Sequence, residues 1–207
     1  FRMIKAGLIG NGNIAGSHRK GYRRIASENG PVVIEACCDI RAERLENLGG
    51  ERVYRDIDTM LAAEKGKLDY VDICLPTFLH ADVAIRAMKA GFNVLCEKPM
   101  ALNETLAAQM LETAAQTGKT LMIAHCNRFM DLMKVIRDIC RSGELGAVRS
   151  AEFQREGGHR QPMGWNNWFR DGRLSGGAML DLHVHDVDII NWLFGMPESV
   201  SAVAANV

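Results

Sequence analysis

The groups best suited to chemistry in this 207-residue chain are a lysine between a glutamate and a proline, Glu97-Lys98-Pro99, and a later run of carboxylates and imidazoles. A cation such as Lys98 stabilises negative charge that develops on a neighbouring oxygen. Asp181, His185 and Asp188 are spaced i, i+4 and i+7, which predicts that one helix face carries all three. A carboxylate one turn from a histidine can orient its ring and raise its basicity, as a general base requires. The plainer alternative is a solvated helix face with a structural histidine. His183 would point away from His185 on that helix and reads as a packing residue. Histidines at i and i+2 do not share a face and no third strong ligand is obvious, so no metal is expected.

A second group binds rather than reacts. Gly10-Asn11-Gly12-Asn13-Ile14-Ala15 fits G-x-G-x-x-A between an apolar strand and a helix. In such a turn the first glycine permits a tight bend and the second lets the backbone approach a pyrophosphate. The small third residue lets the helix pack on the strand. Phosphates then sit at the helix N-terminus, which makes Gly10, Gly12, Asn13 and Ile14 candidate cofactor contacts. Asp39 stands 24 residues past Ala15, at the end of the second strand. An acidic side chain there accepts hydrogen bonds from ribose hydroxyls and repels a 2′-phosphate, which favours NAD over NADP. Arg41 offsets part of that repulsion. The other reading of Asp39 is a cap on the next helix.

These groups need a frame. Short β-like runs alternate with helical stretches over the first ~125 residues, a rhythm that predicts a parallel sheet. Strands are expected at 3–9, 32–38, near Val53, and at 71–75, 92–96 and 121–125, with helices at 14–28, 42–48 and 57–64. Thr77 is expected to cap a helix to Ala90, and Asn103 one to Thr117. Beyond Asn127 the rhythm changes: a helix over 131–141, a strand over 146–155, a loop over 157–177, a helix over 178–194, and strand composition over 199–207. A lone strand at a terminus needs partners, so a second domain reads as incomplete. The loop offers His159, Arg160, Trp165, Asn166, Trp168 and Arg173, which suit a ring with apolar faces and hydroxyl edges. Equally, Trp165 and Trp168 could anchor the loop to the sheet.

Composition narrows the classes. Lys and Arg number 25, as do Asp and Glu, and 47% of residues are hydrophobic, which excludes a disordered chain. No apolar run approaches the ~20 residues of a bilayer span, and zero net charge argues against a nucleic-acid binder. The N-terminus lacks the layout of a secretory signal, and Met3 reads as a natural start. The six cysteines form no C-x-x-C pair and read as free thiols in a reducing compartment, the cytoplasm.

The glycine turn, Glu97-Lys98-Pro99 and Gly176-Gly177-Ala178-Met179-Leu180-Asp181-Leu182-His183-Val184-His185-Asp186-Val187-Asp188 together closely resemble the glucose–fructose oxidoreductase, inositol dehydrogenase and MocA (Gfo/Idh/MocA) family. The resemblance implies an α/β fold: a Rossmann domain, placed at 1–126, then an α+β domain with an open, mainly antiparallel sheet. Residues 127–207 would be the start of that second domain. It implies that Lys98 contacts the substrate's reacting oxygen and that Asp181 and His185 line the substrate pocket, His185 as proton acceptor. Pro76 and His80 match a family segment near the nicotinamide, Glu97 lies at the sheet edge where the cofactor binds, and Arg128 matches the domain junction. The implied activity is NAD-dependent oxidation of a hydroxyl carbon in a cyclic polyol, sugar or sugar derivative, in a homo-oligomer. The alternatives are a redox-neutral sugar lyase or glycosidase-like enzyme that uses NAD transiently, relatives that reduce non-sugar substrates, and a non-catalytic dinucleotide-responsive regulator.

Overall fold

The strands expected over the first ~125 residues pair as one parallel sheet. The structure is a computed structural model that describes residues 2–154 and 164–203. Its sheet holds β1 (Ile4–Ile9), β2 (Val32–Cys38), β3 (Arg52–Tyr54), β4 (Tyr70–Ile73), β5 (Asn93–Cys96) and β6 (Leu121–Ile123). The spatial order is β3-β2-β1-β4-β5-β6 with every pairing parallel. That is the order of a Rossmann sheet, whose direction reverses between β1 and β4 and opens a crevice there.

The helices between the strands are α1 (Asn13–Ser27), α2 (Ile57–Glu64), α3 (His80–Ala90) and α4 (Glu104–Thr117). Strand alternation sends Ile9, Cys38, Ile73 and Cys96 into one large core with Met60, Ala84, Met88 and Met110 from α2, α3 and α4. Leu8 and Cys37 face the other way, packing with Ala15 of α1 and Cys74. Asn103 caps α4 through a bond from Leu106 N–H, as the sequence predicts, and α3 ends at the expected Ala90, followed by Gly91 with a left-handed φ of 103°.

Register explains where the functional residues gather. Ile9 sits opposite Cys38 and Ile73, Ile73 opposite Cys96, and Cys96 opposite Ile123. The ladder runs one residue further: Gly10 N–H bonds Cys38 O, Cys74 N–H bonds Ile9 O, Glu97 N–H bonds Ile73 O. Asp39, Gly10, Cys74 and Glu97 therefore form a row along the C-terminal edge of the sheet, where ligands bind in open α/β folds.

Several expectations need correction. No strand of an antiparallel sheet occurs among the described residues: 146–154 and 199–203 carry no strand and are almost wholly exposed. An isolated strand leaves its N–H and C=O groups unpaired and its apolar side chains in water, so composition alone does not form one. The expected helix over 42–48 is only a 3₁₀ turn, Ala42–Arg44; Leu45 leaves it at a φ of −102°, and Asn47 beyond takes a left-handed φ of 53°. Thr77 opens a 3₁₀ turn to Leu79 instead of capping α3. The predicted loop contains a 3₁₀ segment, Trp165–Arg170, and a short helix α6 (Gly172–Ser175), while His159 and Arg160 lie outside the described residues. The helix expected over 178–194 is two helices, α7 (Gly177–Asp181) and α8 (Val184–Phe194); α5 (Asp131–Ser142) precedes them.

The chain divides into two compact units, whose described residues are 2–124 with 164–181 and 125–154 with 182–203. Among the described residues no helix is long and apolar enough to cross a membrane. All six cysteines are free; Cys37, Cys38, Cys74 and Cys96 are buried in the sheet unit, Cys126 is exposed and Cys140 half-buried. Burial pushes the Cys37 thiol up to about 11 and those of Cys38 and Cys74 to about 12.

Candidate functional site

β1 ends at Gly10, whose φ of 88° disfavours any side chain; a Cβ there would lie 2.7 Å from the Cys74 carbonyl oxygen. Gly12 precedes α1 with no side-chain cap, a Cβ built on it meets nothing within 4 Å, and no acidic residue occupies the first turn. Asn13 and Ile14 begin the helix, and Ala15 is fully buried against the sheet. An open space over an uncapped helix start suits an anion, and the residues present fit a dinucleotide pyrophosphate.

Asp39 leaves the end of β2 and turns toward this loop. Its carboxylate accepts from Asn11 N–H at 2.8 Å and Arg41 N–H at 2.9 Å, one bond to each oxygen. Each oxygen keeps a second lone pair for a further donor. The side chain of Arg41 lies 3.7 Å away, and Arg44 and Arg19 both reach Asn11.

Beyond β5 the backbone turns through a cis Lys98–Pro99 bond. His80 is buried between the Pro99 and Leu75 carbonyls, at 2.8 and 2.9 Å. Burial holds it below its usual pKa, so a neutral ring donates to one of the two. The structure thus wedges His80 between two backbone carbonyls and bonds it to one of them, while Pro76 opens the turn that leads to it. Lys98 Nζ donates to the Asp181 carbonyl at 2.8 Å and to its Oδ1 at 3.2 Å, and both side chains are largely buried. That contact falls where the helix is broken. The Asp181 carbonyl, which a continuous helix would commit to the backbone, accepts from the ammonium, and His185 N–H bonds Leu182 O. Asp181 is therefore not on the helix of His185 and Asp188, contrary to the i, i+4, i+7 expectation.

Trp168 lies with its ring centre 6.5 Å from Phe78 and 5.3 Å from Phe169, an anchoring contact, whereas Trp165 is part-exposed. In the other unit Arg128 makes a two-pronged bond to the buried Asp188, with His125 at 3.5 Å from the same carboxylate. His183 pairs with Asp186 at 3.1 Å, and His185 stands in the first turn of α8.

One set of residues escaped the sequence reading. His18 of α1 sets one ring nitrogen 2.8 Å from Asp72 Oδ2 and the other 2.8 Å from Glu97 Oε1. Tyr22 O–H donates to the same Asp72 oxygen, and Tyr70 O–H donates to Tyr22. The available signal was Asp72 itself, a charge inside the apolar run Tyr70-Val71-Asp72-Ile73, which must find a partner. His18, Asp72 and Cys74 also form the one group among the described residues close enough to share a metal ion. Both ring nitrogens already face carboxylates, so the protonated ring satisfies the cluster unaided. Burial lowers the His18 pKa, but hydrogen bonds to Asp72, Cys74 and Glu97 outweigh it and push it up to about 12.

A group whose pKa rises on folding stabilises fully below its unfolded value, about 6.5, and progressively less as pH climbs toward the folded one. Urea unfolding is expected to show the protein losing stability between pH 6 and pH 9. The loss should be smaller in His18→Gln; equal slopes would remove the charged ring from the account.

Two family models match the chain. One, described as an oxidoreductase family with an NAD-binding Rossmann fold, covers residues 4–125; the other, the GFO/IDH/MocA C-terminal domain, covers 133–207. The chain is 28% identical to myo-inositol 2-dehydrogenase of Thermotoga maritima, over 98% of its own length and 58% of that protein. It is 29% identical to D-glucoside 3-dehydrogenase of Escherichia coli, over 96% of its length and 57% of the relative. It spans a little over half the length of these curated relatives. The crystal structure of the WlbA dehydrogenase from Bordetella pertussis in complex with NADH and UDP-GlcNAcA matches with a TM-score of 0.77 at 24% identity, over 94% of this chain and 56% of that one. At that identity the likeness concerns the fold.

Proposed function

The chain belongs to the GFO/IDH/MocA oxidoreductase family, and from that premise we propose that it serves an NAD-dependent dehydrogenase acting on a hydroxyl carbon of a cyclic polyol, sugar or sugar derivative. The observation that carries this reading is Lys98, an ammonium group held by Asp181 beyond the sheet edge that Gly10, Asp39 and Glu97 also line.

NAD, when bound, supplies the carbon that accepts hydride. The uncapped start of α1, from Gly12 through Asn13 and Ile14, would hold its phosphates, and the free lone pairs of Asp39 would take the ribose hydroxyls. Pro76, His80 and Glu97 would shape the nicotinamide end. Lys98 would donate to the substrate oxygen and stabilise alkoxide character, with Asp181 fixing the ammonium group. His185 would accept the hydroxyl proton, a role that rests on the family resemblance. Arg128, Trp165 and Trp168 are the further substrate contacts of this reading, Arg128 with its Asp188 bond to keep and Trp168 with part of its ring committed to Phe78.

In this reading residues 1–126 bind the cofactor and 127–207 contribute to substrate and subunit contacts in a homo-oligomer. Six free thiols suit a reducing cytoplasm. The test is NAD reduction across inositols, hexoses, amino sugars and sugar acids. Turnover on one class is expected; product without net NADH would replace the reading with a redox-neutral one. For the cofactor, Asp39→Ala is expected to weaken NADH binding and narrow the gap to NADPH, read by fluorescence titration. Unchanged selectivity would take Asp39 out of the ribose site.

A further inference from the structure

His18 lies in α1, the helix whose start faces the candidate phosphate space, yet its ring reaches two different strands. One nitrogen meets Asp72 of β4, which is fully buried, and the other meets Glu97 beyond β5. The second oxygen of Glu97 accepts the backbone N–H of Lys98 at 3.0 Å. Two consecutive contacts thus run from α1 to the main chain of the lysine, ring to carboxylate and carboxylate to amide, and the side chain of the same residue carries the ammonium that bonds Asp181.

A histidine that merely braced α1 on the sheet would need only Asp72. That carboxylate is already served by Tyr22, whose O–H donates to it at 2.9 Å, so the helix has a second anchor. Glu97 is different: beyond its own neighbour's amide, His18 is the donor that the geometry aims at it. Without that donor the Glu97 carboxylate, 8% exposed, would turn toward solvent and release the Lys98 amide.

We propose that His18 is a positioning residue that acts through Glu97 to fix the backbone of Lys98, and so aims the ammonium group at the reacting oxygen. This rests on the catalytic reading of Lys98 given above. It also joins the helix assigned to the phosphates to the residue assigned to the chemistry by a rigid, charged link.

Asparagine and glutamine separate the two arms of the ring. An asparagine amide reaches about where Nδ1 was and can keep the bond to Asp72, whereas a glutamine amide extends to about the Nε2 position and can keep the bond to Glu97. Two readouts are compared in His18→Asn and His18→Gln: acylation of Lys98 by N-hydroxysuccinimidyl acetate, followed by peptide mass spectrometry, and steady-state kinetics. His18→Asn is expected to speed Lys98 acylation several-fold and to lower kcat by on the order of 10²-fold with KM and NADH affinity little changed, as for an ångström-scale misplacement. His18→Gln should stay near wild type in both, at a melting temperature similar to that of His18→Asn. Equal Lys98 reactivity in the two variants, or a fall in melting temperature with no change in reactivity, overturns the proposal. Should His18→Asn fail to fold, Glu97→Ala removes both acceptors of the same link, and unchanged acylation there overturns it too. The acylation arm needs no substrate, so a wild type silent on every polyol would count against the dehydrogenase reading while leaving this link decided separately.

Discussion

Lys98→Ala is expected to leave NADH affinity close to wild type and to lower turnover by on the order of 10²–10³-fold, the usual cost of removing one preorganised donor from a developing oxyanion. The separation of the two effects follows from the structure. Lys98 sits one residue past the ladder bond of Glu97 to Ile73 and spends its ammonium on Asp181, away from the glycine turn and Asp39. The variant also strands the Asp181 carboxylate, whose side chain is 8% exposed and loses its cation. That leaves a buried acceptor poorly served, at about 1–3 kcal/mol of stability, which urea unfolding would register beside the kinetics. A variant with full activity would end the catalytic role. One with lost activity and equally weakened NADH binding would recast Lys98 as a cofactor contact.

Gly10 and Gly12 are expected to fail in opposite ways, although they belong to one motif. At Gly10 an alanine Cβ would overlap the Cys74 carbonyl at 2.7 Å and Leu75 Cδ2 at 2.9 Å, from a φ of 88°. Moving that carbonyl away would disturb the neighbouring ladder bond, in which the Cys74 N–H donates to Ile9 O. Left-handed strain of about 1–2 kcal/mol and overpacking of about 1–3 kcal/mol add to a loss of roughly 2–5 kcal/mol in unfolding free energy. Gly12 has an ordinary φ of −82° and open space where the methyl would go. Gly12→Ala should therefore keep or slightly raise stability while NADH binding falls by on the order of tenfold or more, since the methyl occupies the approach to the pyrophosphate. Equal NADH affinity in Gly12→Ala would move the phosphates elsewhere. Equal stability in Gly10→Ala would mean that β1 can shift against β4.

The parallel sheet was legible because its strands are short apolar runs between helical stretches, and the ends of the inner ones are buried: Ala36-Cys37-Cys38 in β2 and Val71 with Ile73 in β4. The glycine turn and Asp39 were legible because each is bound by local geometry, a bend and a strand end. What failed depended on distant partners. The apolar run over 178–194 looks like one helix from its period, yet it breaks after Asp181, whose carbonyl accepts from a lysine 83 residues earlier. Residues 146–154 have strand composition and no strand, since a strand's hydrogen bonds belong to its neighbours and not to itself. His18 went unnoticed because its partners lie 54 and 79 positions away, even though Asp72 inside an apolar strand was a sign that some cation had to arrive. Local rules found the scaffold; the links across it were visible only in three dimensions.

The distribution of sulfur gives the molecule an unplanned handle. The four cysteines of the sheet unit are buried, and burial keeps Cys37, Cys38, Cys74 and Cys96 protonated well above neutral pH. A maleimide fluorophore reacts with the thiolate, so at pH 7 it should leave those four untouched and mark Cys126 first, then the half-buried Cys140. Both reactive positions fall in the unit that begins at His125. A single dye would thus be a native reporter seated at the start of that unit, with no cysteine added or removed, and its emission could be followed while NADH or a polyol is titrated in.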